Sequence, residues 1–337
     1  MPGRFQHQIA DAPLSYNHSR ILISSPKFIV NQDHTANYRD TTLYEGPSGN
    51  SLRIMNWPTN LAESKLASRF KSSPEGCQIG LIGIPDDTGV KLNHGRPGAA
   101  QGPDALRAAL ARYGVAEPHD WAWPSIWDAG DVEVVPGDLE ETHERVTNAT
   151  LAMIEQGVFP IMLGGGHDLT FPFVRAVAEF HKPMHGIYFD AHLDVRVETG
   201  SGMPFRRLIE SGAADSLRVH GLDPYANTRE HLDWFKNNGG RIAGRTHDDN
   251  WLAQATFVSL DMDVFDSAFA PGVSAHNPCG WSPLLGEQWV FQAGRHKQVK
   301  CFDIMELSPP YDQDGRTARL AARMLLAFLR GYSERRS

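Results

Sequence analysis

The sequence predicts an α/β fold, a three-layer α/β/α arrangement with a mainly parallel sheet between two sets of helices. Three observations predict it. Short apolar runs, each bounded by Gly, Asp or Pro, have the length of strands buried on both faces. Longer segments with helical spacing alternate with them, the pattern of βαβ units. Clusters of Gly, His, Asp and Glu stand directly after several of the runs, at the strand ends where open parallel sheets bind ligands.

Residues 1–75 read as an N-terminal extension rather than as part of this alternation. They mix Asn, Ser, His and Pro around one apolar stretch, ILISSPKFIV, and are expected to lie over the body or join a subunit contact. Residues 76–337 read as one α/β domain. Its strand-length runs are QIGLIGI, VFPIMLG, HGIYFDA, ATFVSLD and KCFDIME. Helical spacing appears in PDALRAALARY, LEETHERVTNATLAMIEQ, NTREHLDWFK and RTARLAARMLLAFLR. The chain shows no internal repeat and no low-complexity tract.

The bulk composition narrows the function classes. With 337 residues, 41% hydrophobic and 21% charged, the chain can bury a large core without a covalent staple. A net charge of −8 with no basic stripe argues against nucleic acid or an anionic membrane as a partner. Cys77, Cys279 and Cys301 form no CxxC pair, which suggests a reducing compartment and three thiols packed as small hydrophobes. No apolar run has transmembrane length and the first residues lack a signal-peptide core, so a cytoplasmic location is expected. The expected partner is a small molecule, and the expected assembly a homo-oligomer.

Four strand ends carry the chemistry. Gly164-Gly165-Gly166-His167-Asp168 follows FPIML, and Asp190-Ala191-His192-Leu193-Asp194 follows GIYF. Asp261-Met262-Asp263 follows TFVSL, and Glu306 follows CFDIM. Alternate residues of an extended chain share a face, so Asp190, His192 and Asp194 converge if the chain stays extended past its strand, as do Asp261 and Asp263. Taken singly each motif is weak: a GGG before His is usually a tight turn, and a lone DxD is common. Together they gather four carboxylates and, with His167, two imidazoles. Such a cluster repels itself unless cations hold it. Oxygen donors with some imidazole suit a divalent ion such as manganese, with nickel or cobalt as alternatives. Six donors are too many for one ion that keeps an open position, and suit two ions that share carboxylates and acidify a water between them.

The blocks GGGHD, FDAHLDVR and SLDMDVFDSAFAPGVSA resemble the signature blocks of the ureohydrolase family of arginases, agmatinases and formimidoylglutamases, over about residues 77 to 331. The resemblance implies the arginase-like fold and two Mn2+ per chain. By motif, His167, Asp190, Asp194 and Asp261 would hold one ion, and Asp190, His192, Asp261 and Asp263 the other, with Asp190 and Asp261 as bridges. Asp194 would also orient the attacking water, and Glu306 would pair with the cationic amidine or guanidine.

Within that family the loop after DxHxD separates the members. Arginases and agmatinases place a histidine there. This chain has Gly200-Ser201-Gly202-Met203-Pro204-Phe205, which resembles the Ser-Gly-x-Pro-Phe segment of formimidoylglutamases, as do HGRPGAAQGPDALRAAL, YANT and DQDGRTARLAARM. Arg196, at a position near the substrate carboxylate in arginases, suits a forked pair with a glutamate carboxylate. A structural arginine is an equally good reading of Arg196 by itself. The resemblance therefore implies hydrolysis of N-formimidoyl-L-glutamate to L-glutamate and formamide, with Arg196, Ser201 and Glu306 as substrate contacts. The alternatives are a guanidine-type ureohydrolase, an inactive metal-binding scaffold, and a one-zinc deacetylase of the same broad architecture.

Overall fold

The computed structural model describes residues 43–45, 51–53, 57, 61–114, 116, 122–243 and 254–335. The runs QIGLIGI, VFPIMLG, HGIYFDA, ATFVSLD and KCFDIME become β3 (Ile79–Gly83), β5 (Phe159–Leu163), β6 (Met184–Phe189), β9 (Thr256–Asp261) and β10 (Val299–Met305). Three further parallel strands join them: β4 (Ile126–Val132), β7 (Ala214–His220) and β8 (Gly240–Ile242). The short strands β1 (Leu43–Glu45) and β2 (Ser51–Arg53) pair antiparallel with each other, and β2 pairs antiparallel with β4. Part of the N-terminal extension is thus a sheet edge rather than an irregular cover. The apolar stretch ILISSPKFIV lies outside the described residues.

Neither β4 nor β7 is a clean apolar run, because polar residues interrupt both. In β4 these are Asp128 and Asp131, and both are buried. The guanidinium of Arg107, on α2 (Gly102–Leu110), spans them: Nε and Nη2 donate to Asp128 at 2.9 Å each, and Nη1 donates to Asp131 at 2.5 Å. A buried forked pair of this kind is what lets carboxylates sit in a strand interior. Trp57 Nε1 adds a bond to Asp128 at 3.1 Å, tying the extension to the same strand.

Alternation along the strands divides the core. Phe302 and Ile304 of β10 face one cluster, with Val258 and Leu260 of β9 and the helices α2, α7 (Pro283–Arg295) and α8 (Arg316–Ser333). Cys301 and Met305 face the other, with Phe257 and Tyr188 and the helices α3 (Leu139–Glu155), α4 (Thr170–His181) and α5 (Pro204–Glu210). Of the three cysteines only Cys301 is in the core. Cys279 is exposed and Cys77 half-buried, so the expectation of three packed thiols fails for two of them. Side chains cap helix starts among the described residues: Asp138 accepts from Glu141 N before α3, Thr228 from His231 N before α6 (Arg229–Asn237), Ser282 from Leu285 N before α7, and Asp312 from Thr317 N and Ala318 N at the start of α8.

The strand order is what builds the site. Across the sheet it runs β1-β2-β4-β3-β5-β10-β9-β6-β7-β8. The four strands whose ends carry His167, Glu306, Asp261 and Asp190 are therefore consecutive at the centre, although the last two in sequence insert between the first two. All four run parallel, so their carboxyl ends share one edge.

Candidate metal centre

The glycines after β5 bring that edge together. A Cβ on Gly165 would lie 1.8 Å from Asp86 O, so only glycine lets the two backbones approach. Gly166 N donates to Asp86 O and Gly165 O accepts from Glu306 N, both at 2.9 Å. His167 then enters a short 3-10 turn that leads into α4, its ring buried among the carboxylates.

Two donor groups result. His167, Asp190, Asp194 and Asp261 offer ligand atoms to one point, and Asp190, His192 and Asp263 to another. His167 Nδ1 lies 3.3 Å from Asp190, 3.0 Å from Asp194 and 3.0 Å from Asp261. It is nevertheless aligned for a hydrogen bond to none of them, and Asp190 Oδ2 is likewise buried without a partner among the described residues. His192 Nδ1 lies 3.0 Å from Asp263 and 3.5 Å from Asp190. Asp190 stands in both groups. Asp261 stands in the first only, its Oδ1 accepting from Asp263 N at 2.7 Å.

The six residues meet, but not because the chain stays extended. β6 ends at Phe189, and the segment after it bends back with Asp194 in the left-handed region at φ 46°. After β9 the backbone closes a 3-10 turn over Met262–Val264, so Asp261 and Asp263 converge by a turn rather than by strand alternation. Arg196 follows this bend. Its backbone N donates to Gly202 O at 2.8 Å and its side chain is exposed, lying against Gly202. Ser201 Oγ accepts from Asn93 Nδ2 at 3.1 Å. Arg196, Ser201 and Asn93 thus share a rim, and Asn93 is a member that the sequence did not single out. His276 Nε2 lies 3.0 Å from both Arg96 Nη2 and Pro271 O, a place consistent with a satisfied loop histidine.

The electrostatics ask for cations. Burial, with Asp194 and Asp263 close by, raises the pKa of Asp190. Burial, with Asp263 and Asp190, holds Asp261 well above the usual carboxylate range. Burial opposes the charge of His167, yet the carboxylates of Asp190, Asp194 and Asp261 crowded around it hold its pKa well above an ordinary imidazole's. Asp263 raises His192, and Asp263 is itself lowered: burial pushes it up, but His192, His167 and the Ala191 N–H together more than offset that. Orphaned buried donor atoms, carboxylate oxygens and imidazole nitrogens are the donor set of a divalent pair, and the residues present fit one. Because Asp190 and Asp261 hold protons more tightly than usual, proton competition at these two sets in early as pH falls. Mn2+ loading should be complete above that range and be lost on acidification at a higher pH than ordinary carboxylates would allow. A pH series of Mn2+ titrations measures this, and loading unchanged down to the usual carboxylate range would contradict it.

Glu306 is buried, also left-handed at φ 63°, and its Oε1 accepts from His167 N at 2.9 Å. Its Oε2 is buried with no partner among the described residues. Burial pushes this carboxyl up to about 8. A second rank of polar residues lies behind the ligands. His167 Nε2 is 3.0 Å from Ser259 Oγ, which leaves Nδ1 free to face an ion. Ser259 precedes Asp261 by two residues, so strand periodicity could have flagged it. Below, Asp303 accepts from Thr170 Oγ1 at 3.0 Å, and burial pushes its carboxyl up to about 6 against His167 and the Ser259 and Thr170 hydroxyls. Asp168 pairs with His143 Nε2 at 3.0 Å from α3. Ser259→Ala should weaken Mn2+ binding about 10–100-fold with little effect on folding. Titration of the purified variant with Mn2+ checks it, and wild-type affinity would assign Ser259 to packing alone.

With this geometry in hand, comparison with known proteins is direct. The sequence profile of the arginase family matches residues 77–330. The formimidoylglutamase of Rhodococcus jostii is 36% identical over 274 residues, 73% of this chain and 83% of that protein. The human mitochondrial guanidino acid hydrolase is 30% identical over 285 residues, covering 77% of this chain and 79% of that one. The crystal structure of Trypanosoma cruzi formiminoglutamase with Mn2+ superposes with a TM-score of 0.74 at 29% identity, covering 81% of this chain and 99% of that chain.

Proposed function

The chain belongs to the arginase family and is a hydrolase of C–N bonds in linear amidines; from that premise we propose that its substrate is N-formimidoyl-L-glutamate, cleaved with water to L-glutamate and formamide at a centre of two Mn2+ ions. The observation that carries the substrate choice is the rim after the DxHxD segment. It presents the Arg196 guanidinium, the Ser201 hydroxyl and the Asn93 amide, and its loop, residues 200–205, carries no histidine. Arg196 has no ion-pair partner among the described residues. That leaves the guanidinium free for a substrate carboxylate. The identity to formimidoylglutamases supports the same reading.

The residues divide the reaction between them. His167, Asp190, Asp194 and Asp261 would hold one ion, and Asp190, His192 and Asp263 the other, with Asp190 shared; Asp261 bridges as well if its Oδ1 takes on a metal besides the Asp263 N–H. The ions, when bound, supply a water acid enough to react near neutral pH. Glu306 binds the amidinium through Oε2, while the bond from His167 N to Oε1 fixes the carboxylate in place. Asp194 has a side chain 15% exposed, against 0, 3 and 5% for Asp190, Asp261 and Asp263. It is the carboxylate best placed to take a proton from the attacking water and hand it to the leaving nitrogen. The C–N bond to the glutamate nitrogen then breaks, releasing the amine of glutamate and formamide.

The deciding assay is a panel of formimidoylglutamate, guanidino acids, arginine and agmatine with Mn2+-loaded protein. Formimidoylglutamate should be turned over best, and agmatine, which has no carboxylate, poorly. Better turnover of a guanidino acid would favour the activity named for the human relative and leave the metal centre in place. Metal analysis separates the other readings: two manganese ions per chain are expected, against one zinc for a deacetylase-like site or two ions without turnover for a scaffold. Arg196→Ala should raise KM for formimidoylglutamate and lower kcat/KM by about 10-fold or more, if its charged hydrogen bond is worth about 1.5–3 kcal/mol. Arg196→Lys should restore only part, since the planar fork is lost. Unchanged KM in both variants would remove Arg196 from the substrate site.

A further inference from the structure

The ligand segment Asp190–Asp194 is irregular backbone, and Asp194 holds a left-handed conformation that is costly for a residue with a Cβ. Something must hold it there. Besides a backbone bond from Asp223 N to Ala191 O at 3.0 Å, one side chain from that same neighbouring loop reaches the segment's middle residues on both sides of His192. Asn227 Oδ1 accepts from Leu193 N at 2.9 Å, and Asn227 Nδ2 donates to Ala191 O at 2.9 Å. The same Nδ2 donates to Asp223 O at 2.8 Å, closing the Asn227 loop on itself. All three partners demand the same orientation of the amide, one acceptor facing an N–H and two donors facing carbonyls, so the carboxamide is uniquely seated. From the opposite side Tyr188 OH donates to Leu193 O at 3.0 Å from within β6. Leu193 thus has both its N–H and its C=O engaged by side chains, and it stands between the ligands His192 and Asp194.

We infer that Asn227 is a positioning residue of the metal centre: its carboxamide clamps the peptide units between Asp190, His192 and Asp194 and thereby sets the spacing of the two donor groups. The alternative is that Asn227 only closes its own turn. That turn has other support, since Ala226 N bonds to Asp223 O at 3.2 Å and Tyr225 N to Asp223 Oδ1 at 2.9 Å. Two of the three Asn227 bonds that reach backbone run across to the ligand segment. No other residue type of that size presents an acceptor and paired donors together. Aspartate keeps the acceptor for Leu193 N but turns two carbonyls towards a carboxylate, and adds negative charge behind an acidic cluster.

The inference rests on the dinuclear reading, and the test separates the two. Full-length wild type, Asn227→Ala, Asn227→Asp and Tyr188→Phe are titrated with Mn2+, and the electron paramagnetic resonance of the loaded proteins is recorded. Wild type should bind two ions and show a spin-coupled pair; failure at that step defeats the centre itself. Asn227→Ala should bind Mn2+ about 10–100-fold more weakly and shift the signal from coupled pair to isolated ions. Raising Mn2+ should recover part of its turnover, which a general folding defect would not allow. Asn227→Asp should be at least as impaired. Tyr188→Phe deletes one hydroxyl from an otherwise unchanged core and should weaken binding about 5-fold, and it keeps the test open if the Asn227 variants do not fold. Wild-type affinity and an unchanged coupled signal in the Asn227 variants, or in Tyr188→Phe where those do not fold, would overturn the clamp.

Discussion

Asp190→Ala is expected to abolish turnover and to empty both metal positions, not one. Asp190 is the residue that stands in both donor groups, with Oδ2 towards His167 Nδ1 and Oδ1 towards His192 Nδ1. Removing it leaves three donors in the first group and two in the second. Its Oδ1 also accepts from His192 N at 2.6 Å, so the same substitution frees the backbone of a second ligand. Without bound ions, water stays far too weak an acid to react near neutral pH, and no residue of the site can replace that activation. Turnover should fall below detection, and elemental analysis should find little metal. His167→Ala should chiefly deplete the first group. Asp261→Ala decides whether that carboxylate bridges: loss of both ions would mean that it does, and loss from the first group alone that it acts where the geometry groups it. Two bound ions and near-normal turnover in Asp190→Ala would sink the dinuclear reading.

Glu306→Gln should separate substrate recognition from metal binding. Glu306 belongs to neither donor group, so both ions should stay. The amide is nearly isosteric and its oxygen can still accept from His167 N. What disappears is the negative charge that Glu306, held protonated near neutral pH by burial, takes on once the cationic amidinium sits against it. A preorganised group of this kind is worth about 10²–10³ in turnover when removed. The effect should appear in kcat more than in KM, if the charge that develops on the amidine during attack is what Glu306 stabilises. Metal analysis and steady-state kinetics on one preparation test both halves. Wild-type turnover would make Glu306 a bystander, and loss of metal would move it into the centre.

How much of this was legible in the sequence follows from the range of each signal. QIGLIGI, VFPIMLG, HGIYFDA, ATFVSLD and KCFDIME became strands because a parallel strand buried on both faces must be apolar throughout, and that condition is local. β4 and β7 were not legible in that way. β4 is buried but carries Asp128 and Asp131, whose cost is offset by Arg107 from another element. The residue types of the site, and their place just past strand ends, could also be read directly. Their convergence was expected for a reason that does not hold, since extended alternation is replaced by a left-handed Asp194 and a 3-10 turn at Met262–Val264.

The sequence by itself determined the α/β class, the strand-end positions of His167, Asp190, His192, Asp194, Asp261, Asp263 and Glu306, and the chemistry that four carboxylates and two imidazoles would require. Only the tertiary structure decided that β5, β10, β9 and β6 stand side by side, that Asp190 reaches both donor groups, and that Asn227 and Tyr188 bond to the backbone between the ligands and Ser259 to His167. The physical reason is range: periodicity and residue type are set by each segment's own burial, whereas strand order and the aim of a side chain depend on contacts between segments far apart in the chain, which a local pattern does not encode.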